Sequence, residues 1–285
     1  MTTMKTATLS VPGARLYYEV RGRGPVLLIS QSGEGDAHRT EDLVRYLADE
    51  FTVVTYDRRG LSRSTIHDDS RPPSLATHAD DAHRLLAAVS GEPARMLGCS
   101  MGAVIGLHLA ADHPEQLDTL IAHEPVAPWL LAPAERAAHL AELEHCRQVF
   151  RADGWRAALA PMARTLGIDP ARQDAEPGVR LPELTAERAA NFEYFLGHDF
   201  AAIQRDSLDT GRLRRTAVRI VPATGATTPP HVFDRRCAVE LAAVLDTELV
   251  TFAGGHNGNM THPSAYATRI RSVLAASREP SAAGT

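Results

Sequence analysis

The chain has 285 residues, with 30 Lys and Arg against 35 Asp and Glu, a net charge of −5, and 44% hydrophobic residues. That length supports one large α/β domain or two ordinary ones, with a sizeable buried core. A mildly acidic chain without a basic stripe argues against nucleic acid as a partner, and no apolar run approaches the length of a membrane span.

In chain order, Thr6–Ser10 and Leu16–Arg21 alternate around Pro12-Gly13 and predict an opening hairpin. Val26–Ser30 (VLLIS) is apolar throughout, as expected of a strand covered on both faces. Thr40–Asp49 has helical spacing with Thr40 as N-cap, and Thr52–Tyr56 is the next buried strand, ending at Asp57-Arg58-Arg59-Gly60. A helix over Leu75–Ser90 leads to a strand at Arg95–Cys99, a helix at Met101–Asp112 and a strand at Leu117–His123. Strand and helix alternating in this way predict a parallel sheet with right-handed crossovers.

From about Val126 to Arg212 only helical patterns occur: Ala134–Ala152, Trp155–Gly167 and Thr185–Arg205, the last two separated by the loop Ile168–Pro182. Strands then resume at Val218–Ala223 and Thr247–Phe252, with helices over Phe233–Leu245 and Pro263–Ser277. The expected organisation is a core of residues 1–125 and 213–277, a helical cap inserted at 126–212, and a disordered tail at 278–285.

The three cysteines, Cys99, Cys146 and Cys237, are odd in number and lack paired spacing. They read as reduced thiols, neither disulfides nor metal ligands. The start, MTTMKTATLSVPG, has no apolar h-region, so a soluble cytoplasmic protein is expected.

Gly98-Cys99-Ser100-Met101-Gly102 lies between a strand and a helix, the pattern of a nucleophile elbow. A serine at the tip of so sharp a turn is exposed to substrate, and the chain two residues to either side passes too close for a side chain. The helix that begins at Met101 offers free N–H groups and a positive dipole end to a developing oxyanion. A serine hydroxyl still needs a base. Of the thirteen histidines, His256 alone follows the last strand in a glycine-rich loop; His108 lies on a helix, and His113, His231 and His262 are boundary or loop residues. Loops at the carboxyl ends of parallel strands converge, so His256 can reach Ser100.

Together, VLLIS with its small-residue loop, Tyr56–Ser62 (YDRRGLS), the elbow and Gly254-Gly255-His256 resemble the α/β-hydrolase fold family over essentially the whole chain. Small bacterial, cap-bearing serine hydrolases are the nearest likeness. The resemblance implies a mostly parallel sheet flanked by helices, a serine nucleophile, a histidine base, an orienting acid and a backbone oxyanion hole. The family more often places its acid after the strand that follows the cap, in a G-x-x-D pattern. Here Gly225-Ala226-Thr227-Thr228 carries no carboxylate. The strand before the cap ends at His123-Glu124-Pro125, where some members carry the acid, and Glu124 keeps the order Ser, acid, His. Asp234 and a missing or substituted acid are the alternatives.

The expected oxyanion donors are the Ser32 and Met101 N–H groups, with Gln31 the alternative if the register differs by one. Many relatives carry His-Gly or a glycine run where this chain has Ser30-Gln31-Ser32-Gly33-Glu34-Gly35. Gln31, Trp129, Phe192 and Phe195 are candidate substrate contacts, and Asn257 is a further pocket contact. Asp57, Arg58 and Arg59 read as a buried structural ion pair after a strand, and Cys99 as packing.

The reading is hydrolysis of an ester, lactone or thioester of a small hydrophobic, carbonyl-containing molecule through an acyl-enzyme, with no metal or organic cofactor. Two alternatives remain: a lyase, cyclase or acyltransferase on the same scaffold, and a non-catalytic small-molecule receptor. A homodimer is compatible with the chain.

Overall fold

The computed structural model describes residues 4–68, 72–169 and 174–276. The tail expected at 278–285 lies outside these residues. A nine-stranded sheet forms the centre. Its strands are β1 (Lys5–Val11), β2 (Ala14–Gly22), β3 (Val26–Ser30), β4 (Thr52–Tyr56), β5 (Thr65–Ile66), β6 (Ala94–Cys99), β7 (Leu117–His123), β8 (Arg219–Gly225) and β9 (Val250–Phe252). They run in the order β1-β2-β4-β3-β6-β7-β8-β9, with β5 pairing beside β2. β1 and β2 form the expected hairpin, β2 also pairs antiparallel with β4, and every pair from β4 to β9 along that order is parallel. The two-residue β5 is too short to leave a periodic signal.

The parallel strands are buried on both faces. One side packs α2 (Leu75–Val89), α3 (Met101–Asp112) and α8 (Phe233–Leu245) into the larger core, which includes Leu28, Val54, Met96 and Leu120. On the other side, α1 (Glu41–Leu47) and α10 (Pro263–Ala275) cover Leu27, Ile29, Leu97 and Ile121. This two-layered burial is why VLLIS carries no alternation. α3 is apolar nearly all round because it is buried nearly all round.

Thr40 does precede α1, but its hydroxyl accepts a hydrogen bond from Gln31 Nε2 and makes no side-chain cap. At α2 the neighbouring Ser74 and Thr77 form a reciprocal capping box. Between β7 and β8 the regular elements are helical: α4 (Pro133–Thr165), α5 (Ala186–Tyr194), a π-turn over Phe195–Asp199, α6 (Phe200–Arg205) and α7 (Thr210–Arg215). The break expected in the first of these is a kink at Gly154, whose φ of 81° lies outside helical space. Among the described residues, no helix is long and apolar enough to cross a membrane.

Candidate active site

The elbow at the end of β6 has the geometry its glycines predict. Ser100 sits at φ 54°, ψ −116°, a conformation rare for a residue with a Cβ. It is over-determined from both sides: Ser100 N–H donates to His123 O at 2.9 Å, and Ala103 N–H donates to Ser100 O at 3.0 Å. A Cβ on Gly102 would stand 2.1 Å from Ser30 O, and one on Gly98 would stand 2.5 Å from Gly102 O. Glycine is therefore a steric requirement at both positions.

Glu124 occupies a second strained site at the end of β7, with φ 44°. Its N–H donates to Ala223 O at 2.9 Å, which turns the carboxylate across the end of β8. There Thr224 Oγ1 and Gly225 N–H donate to Oε1 at 2.7 and 2.9 Å, while His256 Nδ1 lies 2.7 Å from Oε2. A carboxylate only accepts, so Nδ1 carries the proton and Nε2 is left to face the cavity. Both partners are buried. Burial alone works to raise the Glu124 carboxyl. The His256 hydrogen bond, the two neighbouring imidazoles and Gly225 N–H outweigh it and hold the group well below the usual carboxylate range. For His256, burial works to depress the ring, but the Glu124 hydrogen bond and charge, with the charge of Asp234, raise it above its ordinary value.

Ser100, Ser32, His256 and Asn257 line one cavity of about 320 Å³. Its far walls are apolar and come from the helical segment, with Leu143, Leu159 and Met162 of α4 joined by Phe192 and Phe195. Two expected substrate contacts are placed elsewhere. The Gln31 side chain is buried against Thr40, and Trp129 donates from Nε1 to Asp206 at 2.9 Å, the same carboxylate that meets His108. In each residue the side-chain nitrogen is taken up by a structural hydrogen bond, and neither residue lines the cavity. Met101 is fully buried at the head of α3, directly after the elbow.

Asp57, Arg58 and Arg59 are structural, but they do not pair with one another. Asp57 meets Arg63, Arg58 meets Asp199 of the π-turn at 3.1 Å, and Arg59 forks onto Asp81 of α2. Cys99 is buried beside Asn259, and burial pushes its thiol up to about 12. Such a thiol is inert at neutral pH.

Sequence reasoning missed the first of two features and misplaced the second, since from the sequence Asp234 is only an alternative orienting acid. Arg39 and Arg188 converge on a single carboxylate oxygen of the buried Glu34 at the cavity wall. Asp234 lies inside the site, with Oδ2 3.9 Å from His256 Nε2, the nitrogen opposite the one an orienting acid would hold. The helix start before Asp234 marked only its local position; its approach to His256 depends on how α8 packs.

A family model described as alpha/beta hydrolase fold matches residues 25–161. Over 279 residues, covering 95% of this chain and 97% of the relative, the sequence is 36% identical to a protein of Bacillus subtilis (strain 168) named uncharacterized hydrolase YraK. Among solved structures, a hydrolase from Pseudomonas aeruginosa PA01 superposes with a TM-score of 0.67 at 23% identity, covering 94% of this chain and 98% of that one. A thermophilic esterase from Thermogutta terrifontis gives a TM-score of 0.68 at 20% identity, covering 98% of this chain and 100% of that one. With the parallel sheet and the strained elbow already in place, these likenesses show that the chain belongs to the α/β-hydrolase fold family.

Proposed function

We propose that the protein is a serine hydrolase that cleaves an ester, lactone or thioester of a small hydrophobic molecule through an acyl-enzyme. The observation that carries this reading is the Glu124–His256 hydrogen bond of 2.7 Å, made by a base that shares a cavity with a serine held in strained backbone. Glu124 fixes the tautomer of His256, so that Nε2 is available to take the Ser100 proton. Ser100 Oγ then bonds to the carbonyl carbon, and the Ser32 and Met101 N–H groups hold the oxyanion. The departing oxygen or sulfur takes the proton from His256. A water, deprotonated by the same ring, releases the acyl group.

The helical segment 126–212 acts as the cap in this reading. Its apolar walls favour an acyl or alcohol group larger than acetate.

The test is a fluorophosphonate probe run beside a panel of esters, lactones and thioesters. Ser100 should label and the panel should contain substrates, with Ser100→Ala lowering turnover at least ~10⁴-fold. Labelling without turnover of any panel member points instead to lyase, cyclase or acyltransferase chemistry. A folded protein that neither labels nor turns over ends the enzyme reading and favours a receptor.

A further inference from the structure

His256 is flanked by carboxylates on both ring nitrogens. Glu124 holds Nδ1 at 2.7 Å, and Asp234 Oδ2 stands 3.9 Å from Nε2. Asp234 opens α8, is 1% exposed, and lines the same cavity as Ser100. Neither of its oxygens makes a hydrogen bond to another described residue. Its nearest cationic candidate besides His256 is His139 of α4, whose Nε2 is 3.4 Å from Oδ1 and which is itself fully buried. A buried carboxylate without hydrogen bonds is costly, and proteins seldom keep one without a use.

We propose that Asp234 is a second carboxylate serving the base: from the Nε2 side it stabilises the charge that His256 acquires on taking the Ser100 proton. The inference rests on the proposed roles of Ser100 and His256. Asp234 works through His256 and touches no reacting atom, so it is a positioning residue. The proton balance leaves it unchanged. Ser100 Oγ bonds to the carbonyl carbon as its proton passes to Nε2; the bond to the leaving atom then breaks, and that same proton departs with it. Asp234 gains no proton in either step.

At 3.9 Å between two buried side chains, a carboxylate charge interacts strongly with an imidazolium. With neutral His256, the same carboxylate faces a lone pair and gains nothing. The interaction is therefore made only after proton transfer begins, which is the condition for lowering a barrier.

The other groups that bear on the pair come from several elements. Glu124 and His123 of the β7 end face His256, the latter with ring centroids 6.5 Å apart, and the charge of Arg39 opposes protonation of the ring. Around Asp234 stand His139 and Glu142 of α4 and Cys237 of its own helix.

The test follows the pH dependence of Ser100 labelling by a fluorophosphonate, which needs His256 neutral and so requires no known substrate. In the wild type, labelling rises as pH rises through the His256 pKa. Asp234→Asn keeps the side-chain shape and removes the charge. It should move the acid limb down by about one pH unit. The plateau rate should fall about threefold to tenfold, because a weaker base accepts the proton less readily. Should the amide variant fail to fold, Asp234→Ser gives the same readout. A folded variant with an unmoved acid limb overturns the inference and leaves Asp234 as an anchor between α8 and His139. A wild type that fails to label at every pH overturns the nucleophile reading itself, and this inference with it.

Discussion

The carboxyl edge of the sheet and the helical segment between β7 and β8 build the cavity in different ways. On the sheet edge, backbone dictates position. Ser100 and Glu124 are locked by main-chain hydrogen bonds from adjacent strand ends, and the room beside them is closed to a single methyl group at Gly102. On the helical side, position comes from packing and a few polar ties. Asp199 reaches Arg58, Asn191 exchanges hydrogen bonds with Ser62, and Arg188 pairs with Glu34. The contrast separates two tasks. In the proposed mechanism, groups that move protons sit where the backbone permits little adjustment, and groups that choose the substrate sit where side chains can be exchanged.

This division can be broken by experiment. The largest expected effect concerns His123, buried in the sheet edge with neither ring nitrogen hydrogen-bonded. Burial depresses its pKa to about 4. An unfolded histidine titrates near 6.5, so the neutral ring favours the fold above that pH, and the advantage is lost as pH falls through about 4. The loss amounts to about 3 kcal/mol, from the 2.5-unit difference between 6.5 and 4. Urea melts between pH 7 and pH 4 should show His123→Phe with a visibly flatter stability profile than the wild type. Parallel profiles would mean that the sheet edge hydrates more readily than its packing indicates.

Next comes Glu124→Gln. It should lower turnover at least ~10²-fold, and by the same factor for every acyl chain, because it disturbs the base and leaves the pocket alone. A loss that depended on the substrate would blur the boundary between the two regions.

The smallest effect belongs to Phe195, whose ring packs against Phe200 with centroids 4.8 Å apart and closes over Gly33. Phe195→Leu should shift the preference towards bulkier acyl groups by about tenfold, while a short ester reacts at nearly the wild-type rate. Ratios of kcat/KM across a chain-length series measure this. An equal fall for all esters would place Phe195 with the machinery of the sheet edge.

Much of the sheet edge was legible from the chain because its constraints are local. A glycine two residues to either side of a serine, between an apolar run and a helix, states a steric requirement that can be read without knowing the fold. The run of apolar residues in β3 and β6 likewise announces burial on both faces. The helical segment was legible as helices, with a gap after Ala152 where the structure kinks at Gly154, but its inward face was not. Trp129 and Phe195 look alike as aromatics; one is drawn off to Asp206 and the other lines the cavity. Gln31 illustrates the same limit, since Thr40 takes up its amide nitrogen and the side chain lies buried outside the cavity lining.

The two carboxylates mark the boundary most clearly. Glu124 stands at a strand end in the chain order of the resembled family, and that resemblance preferred it. Its second oxygen is held by Thr224 and Gly225, at the end of β8, so that strand end supports the carboxylate. Asp234 was visible as a carboxylate at a helix start and as an alternative for the orienting acid. That it meets Nε2 and not Nδ1 follows from how α8 packs against the sheet and α4, a relation among segments distant in the chain. Elbow, strands and chain order are set by backbone sterics and burial, which act over a few residues and so are written in the sequence. Which side of the imidazole each acid approaches is set by long-range packing, and only the tertiary structure decided it.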